Sequence, residues 1–267
     1  MVGNDAIIAL AVGAVFGFVI PAAAVILFKL KYKKTSVLSA VIGAACFILF
    51  ALVLEQILHM VMLPLVTGST VAFVIYGTLA AGVFEETGRF LTCKFLMKKR
   101  SDNADAVMLG LGHGGIEAVI MLGITMASYL SASIMLNSMG FDAFAEMSQA
   151  NTPELIELLK SQIDTIAACS LPQVLLSILE RICAMTLHVS MSVVVMKAAS
   201  VKGKLWLYPV AVVMHAVFDV PAALYQYGII PTLWLTELIL LAEAAAAAFI
   251  AVKVSRIRQT EPQLSST

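Results

Sequence analysis

Charge is scarce in this chain. Asp, Glu, Lys and Arg make up 13% of its 267 residues, while 61% are hydrophobic. A soluble domain carries about 25% charged and about 45–50% apolar residues. With a mean hydropathy of +0.97, the deficit excludes an ordinary water-soluble domain. Net charge is zero and the basic residues form no nucleic-acid stripe, so no nucleic-acid partner is expected. Cysteine is scarce too: Cys46, Cys93, Cys169 and Cys183 show no CxxC spacing. That excludes a disulfide framework and a structural zinc site. Three of the four lie in apolar segments and read as small buried hydrophobes. The opening MVGND lacks a basic n-region, so the first apolar segment is expected to stay in the mature protein. HExxH is absent, and no serine sits in a G-x-S-x-G context.

What is present is long apolar runs. A helix needs about 20 apolar residues to cross the hydrocarbon core. Seven stretches qualify: 6–28, 36–62, 69–97, 104–136, 171–197, 205–227 and 230–252. The expected fold is therefore an all-α integral membrane protein, a bundle of about seven transmembrane helices. One polytopic domain is expected over 1–258, followed by a disordered cytoplasmic tail, 259–267. Prolines 21, 64, 172, 209, 221 and 231 mark helix ends or kinks.

Basic residues set the expected orientation. Lys29, Lys31, Lys33, Lys34, Lys94, Lys98, Lys99, Arg100, Lys197, Lys202, Lys204, Lys253, Arg256 and Arg258 fall on one face if seven spans alternate. Of the other basic residues, Arg89 and Arg181 lie within spans, and only Lys160 is left for the opposite face. The positive-inside rule then predicts a multi-pass protein of the cell membrane with its N-terminus outside and its C-terminus in the cytoplasm. The outer loop, 137–170, contains Thr152-Pro153-Glu154, an N-cap, a first-turn proline and a first-turn acid. Leu155, Leu159, Ile163 and Ile166 follow at helical spacing. An amphipathic helix is expected there, lying on the membrane or lidding the bundle.

Against this apolar background stand eight ionisable residues in four clusters: Glu85, Glu86 and Arg89; His113 and Glu117; His188; His215 and Asp219. An ionised group in the bilayer core costs several kcal/mol, and such groups face a bundle interior or mark function. Counted from the basic ends of their helices, all lie roughly 13–22 Å deep. Glu85→Arg89, His113→Glu117 and His215→Asp219 are each i,i+4, so each pair shares a face. Glycines 110, 112, 114 and 115 surround His113 and permit close helix approach. The clusters are expected to converge on one buried site.

Simpler readings exist for each group. Arg89 can be the counter-ion of Glu85 or Glu86, and the i,i+4 geometry favours Glu85, which leaves Glu86 to face the site. His188 or His215 can be a satisfied core histidine, and Asp219 can serve to orient His215. Glu180 and Arg181 read as a structural pair. Glu55 and His59 lie near the outer end of the second span, where interfacial solvation accounts for them. Glu243 is a lone acid within the seventh span. The 14 methionines read as core filler.

Paired carboxylates, histidines and an arginine suit general acid–base activation of water. Histidines with a carboxylate also suit a catalytic zinc or another divalent ion; the candidate ligands are His113, His188 and His215 with Glu85 or Glu117. Glu85-Glu86-Thr87-Gly88-Arg89 resembles the EExxR/K motif of the membrane clan that holds CAAX prenyl endopeptidases, bacteriocin-processing homologues and PrsW-like proteases. Gly112-His113-Gly114-Gly115-Ile116-Glu117 resembles the clan's second motif, His188 its third, and His215-Ala-Val-Phe-Asp219 its fourth, HxxxD/N. The four occur in order over about residues 69–225, and the set is most similar to the YhfC family. CAAX enzymes have EExxxR and an asparagine in the last motif, which argues against CAAX processing.

The resemblance implies an intramembrane endopeptidase acting on membrane-associated proteins or peptides within a water-filled chamber. A glutamate of the first motif and a histidine would activate water there, with the last motif at the oxyanion. An ionised Asp219 would repel an oxyanion, so Asp219 is expected to be protonated or to polarise His215. Two other functions fit the polar layer: a non-catalytic chaperone, immunity or regulatory protein of the same fold, and a small proton-coupled transporter. The complete motif set weighs against the first, and the lack of a duplicated half against the second.

Overall fold

The computed structural model describes residues 1–257. Among them all regular structure is helical: α1 (Asn4–Lys31), α2 (Val37–Val66), α3 (70–96), α4 (Asn103–Met139), α5 (Phe141–Met147), α6 (Pro153–Ala167), α7 (Leu171–Ser200), α8 (Leu207–Gln226) and α9 (Leu233–Ser255). Three stretches are π-helical: Ile48–Glu55 in α2, Thr92–Leu96 at the end of α3, and Val119–Ile124 in α4. The tail expected to be disordered, 259–267, lies outside the described residues.

Six of these helices, α1, α2, α4, α7, α8 and α9, are long and apolar enough to cross a membrane. The expected seventh, 69–97, is a helix of sufficient length. Glu85, Glu86, Arg89 and Lys94 interrupt its apolar run, so it falls short on composition. Side-chain burial follows the membrane pattern. Leu65, Ile75, Val213, Leu238 and Phe249 face outward, while Glu85, Glu86, Arg89, His113, His188 and His215 are buried.

Local sequence sets the helix starts. Ser36 and Ser69 cap α2 and α3 by accepting from Leu38 and Ala72 backbone N–H groups. Thr152 caps α6 through Leu155 N–H, with Pro153 in the first turn, as expected. Hydrogen bonding in that exposed turn holds the Glu154 carboxyl below its ordinary pKa. Pro21, Pro64 and Pro221 sit inside helices.

The chain divides into two compact units. The first comprises Met1–Ile20 and Ala118–Arg181. Its core joins Val2, Ala6, Leu136 and Phe144, with Leu159, Ile163 and Ile166 of α6 packed on them. The amphipathic face of α6 is thus seated on protein, while Leu155 and Leu158 point outward. Asn137 brackets the N-terminus, accepting from Val2 N at 2.9 Å and donating to Val2 O at 2.8 Å. Glu180 and Arg181 form the expected ion pair.

The second unit comprises Pro21–Glu117 and the chain from Ile182. Here α2, α3, α4, α7 and α8 approach closely enough to bury polar groups. A Cβ on Gly112 would stand 1.9 Å from Ala40 O, and one on Gly110 would stand 2.5 Å from Val189 Cα. Those two glycines let α2 and α7 pack against the turn of α4 that carries His113. All eight ionisable residues of the four clusters lie in this unit.

Candidate metal centre

Glu85 and Glu86 are adjacent on α3, so their side chains leave the helix about 100° apart. Each finds a different partner. Glu85 turns to α4, where His113 Nε2 lies 2.7 Å from its Oε2. Glu86 is fully buried, pairs with Arg89 one turn on, and accepts from His215 Nδ1 at 2.7 Å. The expected Glu85–Arg89 pairing is thus corrected: the partner is Glu86, at i,i+3. Both spacings bring a carboxylate within reach of the guanidinium. The neighbouring helices decide between them, because α4 offers Glu85 a histidine.

The partners also fix the histidine protons. A carboxylate only accepts and a guanidinium only donates. His215 therefore carries its proton on Nδ1, towards Glu86. Its Nε2 is left 3.6 Å from Asp219 Oδ2 and 4.0 Å from Glu85 Oε1. His188 is held from both sides. Its Nε2 pairs with Glu117, and its Nδ1 accepts from Arg89 Nη2 at 3.1 Å, 3.8 Å from Glu85 Oε2. The rings are close: centroids are 4.8 Å apart for His113 and His188, and 5.4 Å for His188 and His215. Phe47 closes one side with its ring edge-on to His113 at 5.2 Å.

All eight expected residues thus belong to one connected cluster on four helices. Glu85, His113 and His188 go further, each offering a ligand atom with all three atoms within 4.8 Å of one another. One carboxylate and two imidazoles form a donor set used by catalytic zinc, which leaves a fourth position open. Two details fit an ion here. Among the described residues His113 Nδ1 is buried without a hydrogen-bond partner, so the ring can shift its proton there and free the Nε2 lone pair as a ligand. Glu117 holds the far nitrogen of His188, the usual carboxylate support of a metal-binding imidazole. Of the expected ligands, His215 and Glu117 stand outside this trio: His215 hydrogen-bonds Glu86, and Glu117 pairs with His188.

The structure corrects one further expectation. Glu55, assigned to interfacial solvation, is only 5% exposed. It pairs with His59, 3.2 Å away, and His59 Nδ1 lies 2.7 Å from Tyr76 OH. Depth along the helix gave Glu55 its expected setting, and depth carries no information on facing. Glu243 lies beside a 210 Å³ apolar pocket lined by Leu187, Val213, Met214 and Phe218 among others.

The family model described as "YhfC intramembrane metalloprotease" matches residues 16–240. A curated relative, "Uncharacterized membrane protein YhfC" of Bacillus subtilis (strain 168), is 32% identical over 268 residues, covering 97% of this chain and 100% of that protein. No solved structure matches the chain.

Proposed function

Because this chain belongs to the YhfC intramembrane metalloprotease family, we propose that it hydrolyses peptide bonds of membrane-associated proteins or peptides with a divalent metal held by Glu85, His113 and His188. The observation that carries this reading is the trio of ligand atoms within 4.8 Å, buried in a membrane bundle. Zinc suits the donor set, and when bound it would lower the pKa of a coordinated water towards ~7.

The remaining residues have supporting roles. Glu117 fixes the His188 tautomer so that Nδ1 faces Glu85. Glu86 neutralises Arg89 and orients His215 through Nδ1. That leaves His215 Nε2 free to hold or pass a proton near Glu85 and Asp219, a general acid–base position. Asp219 acts through His215, so its charge need not meet an oxyanion. Arg89 offsets the charge of two neighbouring glutamates and holds His188 when no ion does.

Orientation belongs to the same reading. With α3 crossing as a seventh pass, 14 of 17 Lys and Arg residues gather on one face. This favours the cell membrane, with an outer N-terminus and a cytoplasmic C-terminus. The test of function is cleavage of model transmembrane peptides by purified protein, with and without chelator. Metal-dependent cleavage lost in Glu85→Gln is the expected result. Cleavage at full rate after stringent chelation would remove the metal from the proposal. No cleavage by folded, metal-loaded protein would favour a non-catalytic or transport role.

A further inference from the structure

A second set of titratable groups lies beside the metal-centre residues and is used by none of the roles above. Glu55 closes the π-helical stretch of α2, and its carboxylate lies 3.2 Å from His59 Nε2. His59 Nδ1 lies 2.7 Å from the hydroxyl of Tyr76 on α3, with the two rings edge to face at 5.5 Å. The three form one line, a hydrogen bond from Tyr76 to His59 and an ion-pair contact from His59 to Glu55. Accessibility rises along it: side-chain exposure is 7% at Glu55 and 19% at His59. Tyr76 is six residues from the start of α3, roughly 9 Å of helical rise, a depth where tyrosines meet headgroups and water. At the inner end, Glu55 lies in electrostatic range of Glu85, His215 and Asp219. π-helical turns in α-helices frequently accompany function, and this one turns a carboxylate inward.

We propose that Tyr76, His59 and Glu55 form a proton relay between the membrane surface and the buried acid–base cluster. It rests on the proposed function only for its purpose, the recharging of His215 and Asp219 between turnovers. Transfer is balanced. The Tyr76 O–H bond breaks as an N–H bond forms at His59 Nδ1. The N–H bond at Nε2 breaks as an O–H bond forms at Glu55. Tyr76 recovers its proton from surface water, the O–H bond at Glu55 breaks as a water carries the proton on to His215 or Asp219, and His59 turns its ring to restore its first tautomer. Passage in the other direction retraces the same bonds. Glu55 contacts His59 on its own helix, and the charged groups in electrostatic range of it are Glu85 on α3 and His215 and Asp219 on α8.

The test reads protons and needs no substrate. The protein in nanodiscs is taken through a pH jump, and the carbonyl stretch of its protonated carboxyls is followed by time-resolved infrared difference spectroscopy. One component should vanish in Glu55→Gln. Its rise should slow by about 10²-fold or more in His59→Phe. Tyr76→Phe keeps the ring packing and removes only the hydroxyl, so it should slow the same component even if His59→Phe folds poorly. A component that rises at the wild-type rate in Tyr76→Phe and His59→Phe would overturn the relay, as would a spectrum unchanged in Glu55→Gln. Failure to cleave any peptide would remove the proposed function and leave this result standing.

Discussion

Arg89 pairs with Glu86, three residues before it, and so leaves Glu85 to His113. One glutamate is committed to a charge on its own helix and to His215 on α8. Its neighbour is committed to histidines on other helices. The two should therefore fail differently when neutralised.

Glu85→Gln removes a ligand atom and the charge that faces His113. Activity should fall by about 10²–10⁴-fold while expression and helicity persist. Peptide cleavage measured beside circular dichroism checks this. Cleavage at the wild-type rate would assign the work elsewhere.

Glu86→Gln strands the Arg89 guanidinium in the bundle. Removing one partner of a buried pair destabilises by about 3–5 kcal/mol. The variant should show reduced yield and a lowered melting temperature in detergent, and the Glu86→Gln/Arg89→Met double variant should recover part of the loss. A melting temperature equal to wild type in the single variant would contradict the pairing.

Metal affinity should track the trio and its support. Purified protein should hold one divalent ion per chain, and His113→Ala or His188→Ala should abolish it. Glu117→Gln, at the residue that pairs with the far nitrogen of His188, should weaken binding by about 10–100-fold. Competition against a chromophoric chelator measures each. Unchanged affinity in His188→Ala would place the ion at another site.

Gly112→Ala should destabilise the protein by about 1–3 kcal/mol, because its Cβ would meet Ala40 O at 1.9 Å and push α2 away from α4. Thermal melting of the purified variant gives the direction and size. A neutral effect would mean the two helices tolerate separation near His113.

Topology is open to a chemical test. In a background with the native cysteines replaced, single cysteines near Lys33, Lys99 and Lys202 should react with impermeant maleimide only after the membrane is opened. Labelling from outside intact cells would reverse or break the proposed orientation.

Much of this was legible in the sequence because it is local or periodic. The Thr152-Pro153-Glu154 start of α6 depends on side chains within one turn and appears as expected. Convergence of the four clusters followed from matched depth and i,i+4 facing. Partner choice did not follow, because Arg89 reaches both glutamates and α4 and α8 decide between them. The inward setting of Glu55 was hidden for a related reason. Distance from the basic loops gives depth, while facing depends on a π-helical stretch that has no plain sequence signature. The count of apolar passes differed at α3 because Glu85, Glu86 and Arg89 lower its hydropathy.

Ahead of Glu55, the π-helical stretch of α2 makes chain length, rather than residue identity, the sensitive quantity. Residues 37–47 bury Ser39, Ala40, Gly43 and Cys46, whereas 56–66 bury none. Deleting one residue between 48 and 55 would advance the second half by about 100° relative to the first. His59 would swing off Tyr76 while Ala40 stayed seated on Gly112. Many apolar substitutions in that stretch should pass unnoticed, but a single-codon deletion should not. Relatives should accordingly vary freely in apolar composition between 48 and 54, keep an acid at 55, and hold the length of the stretch constant.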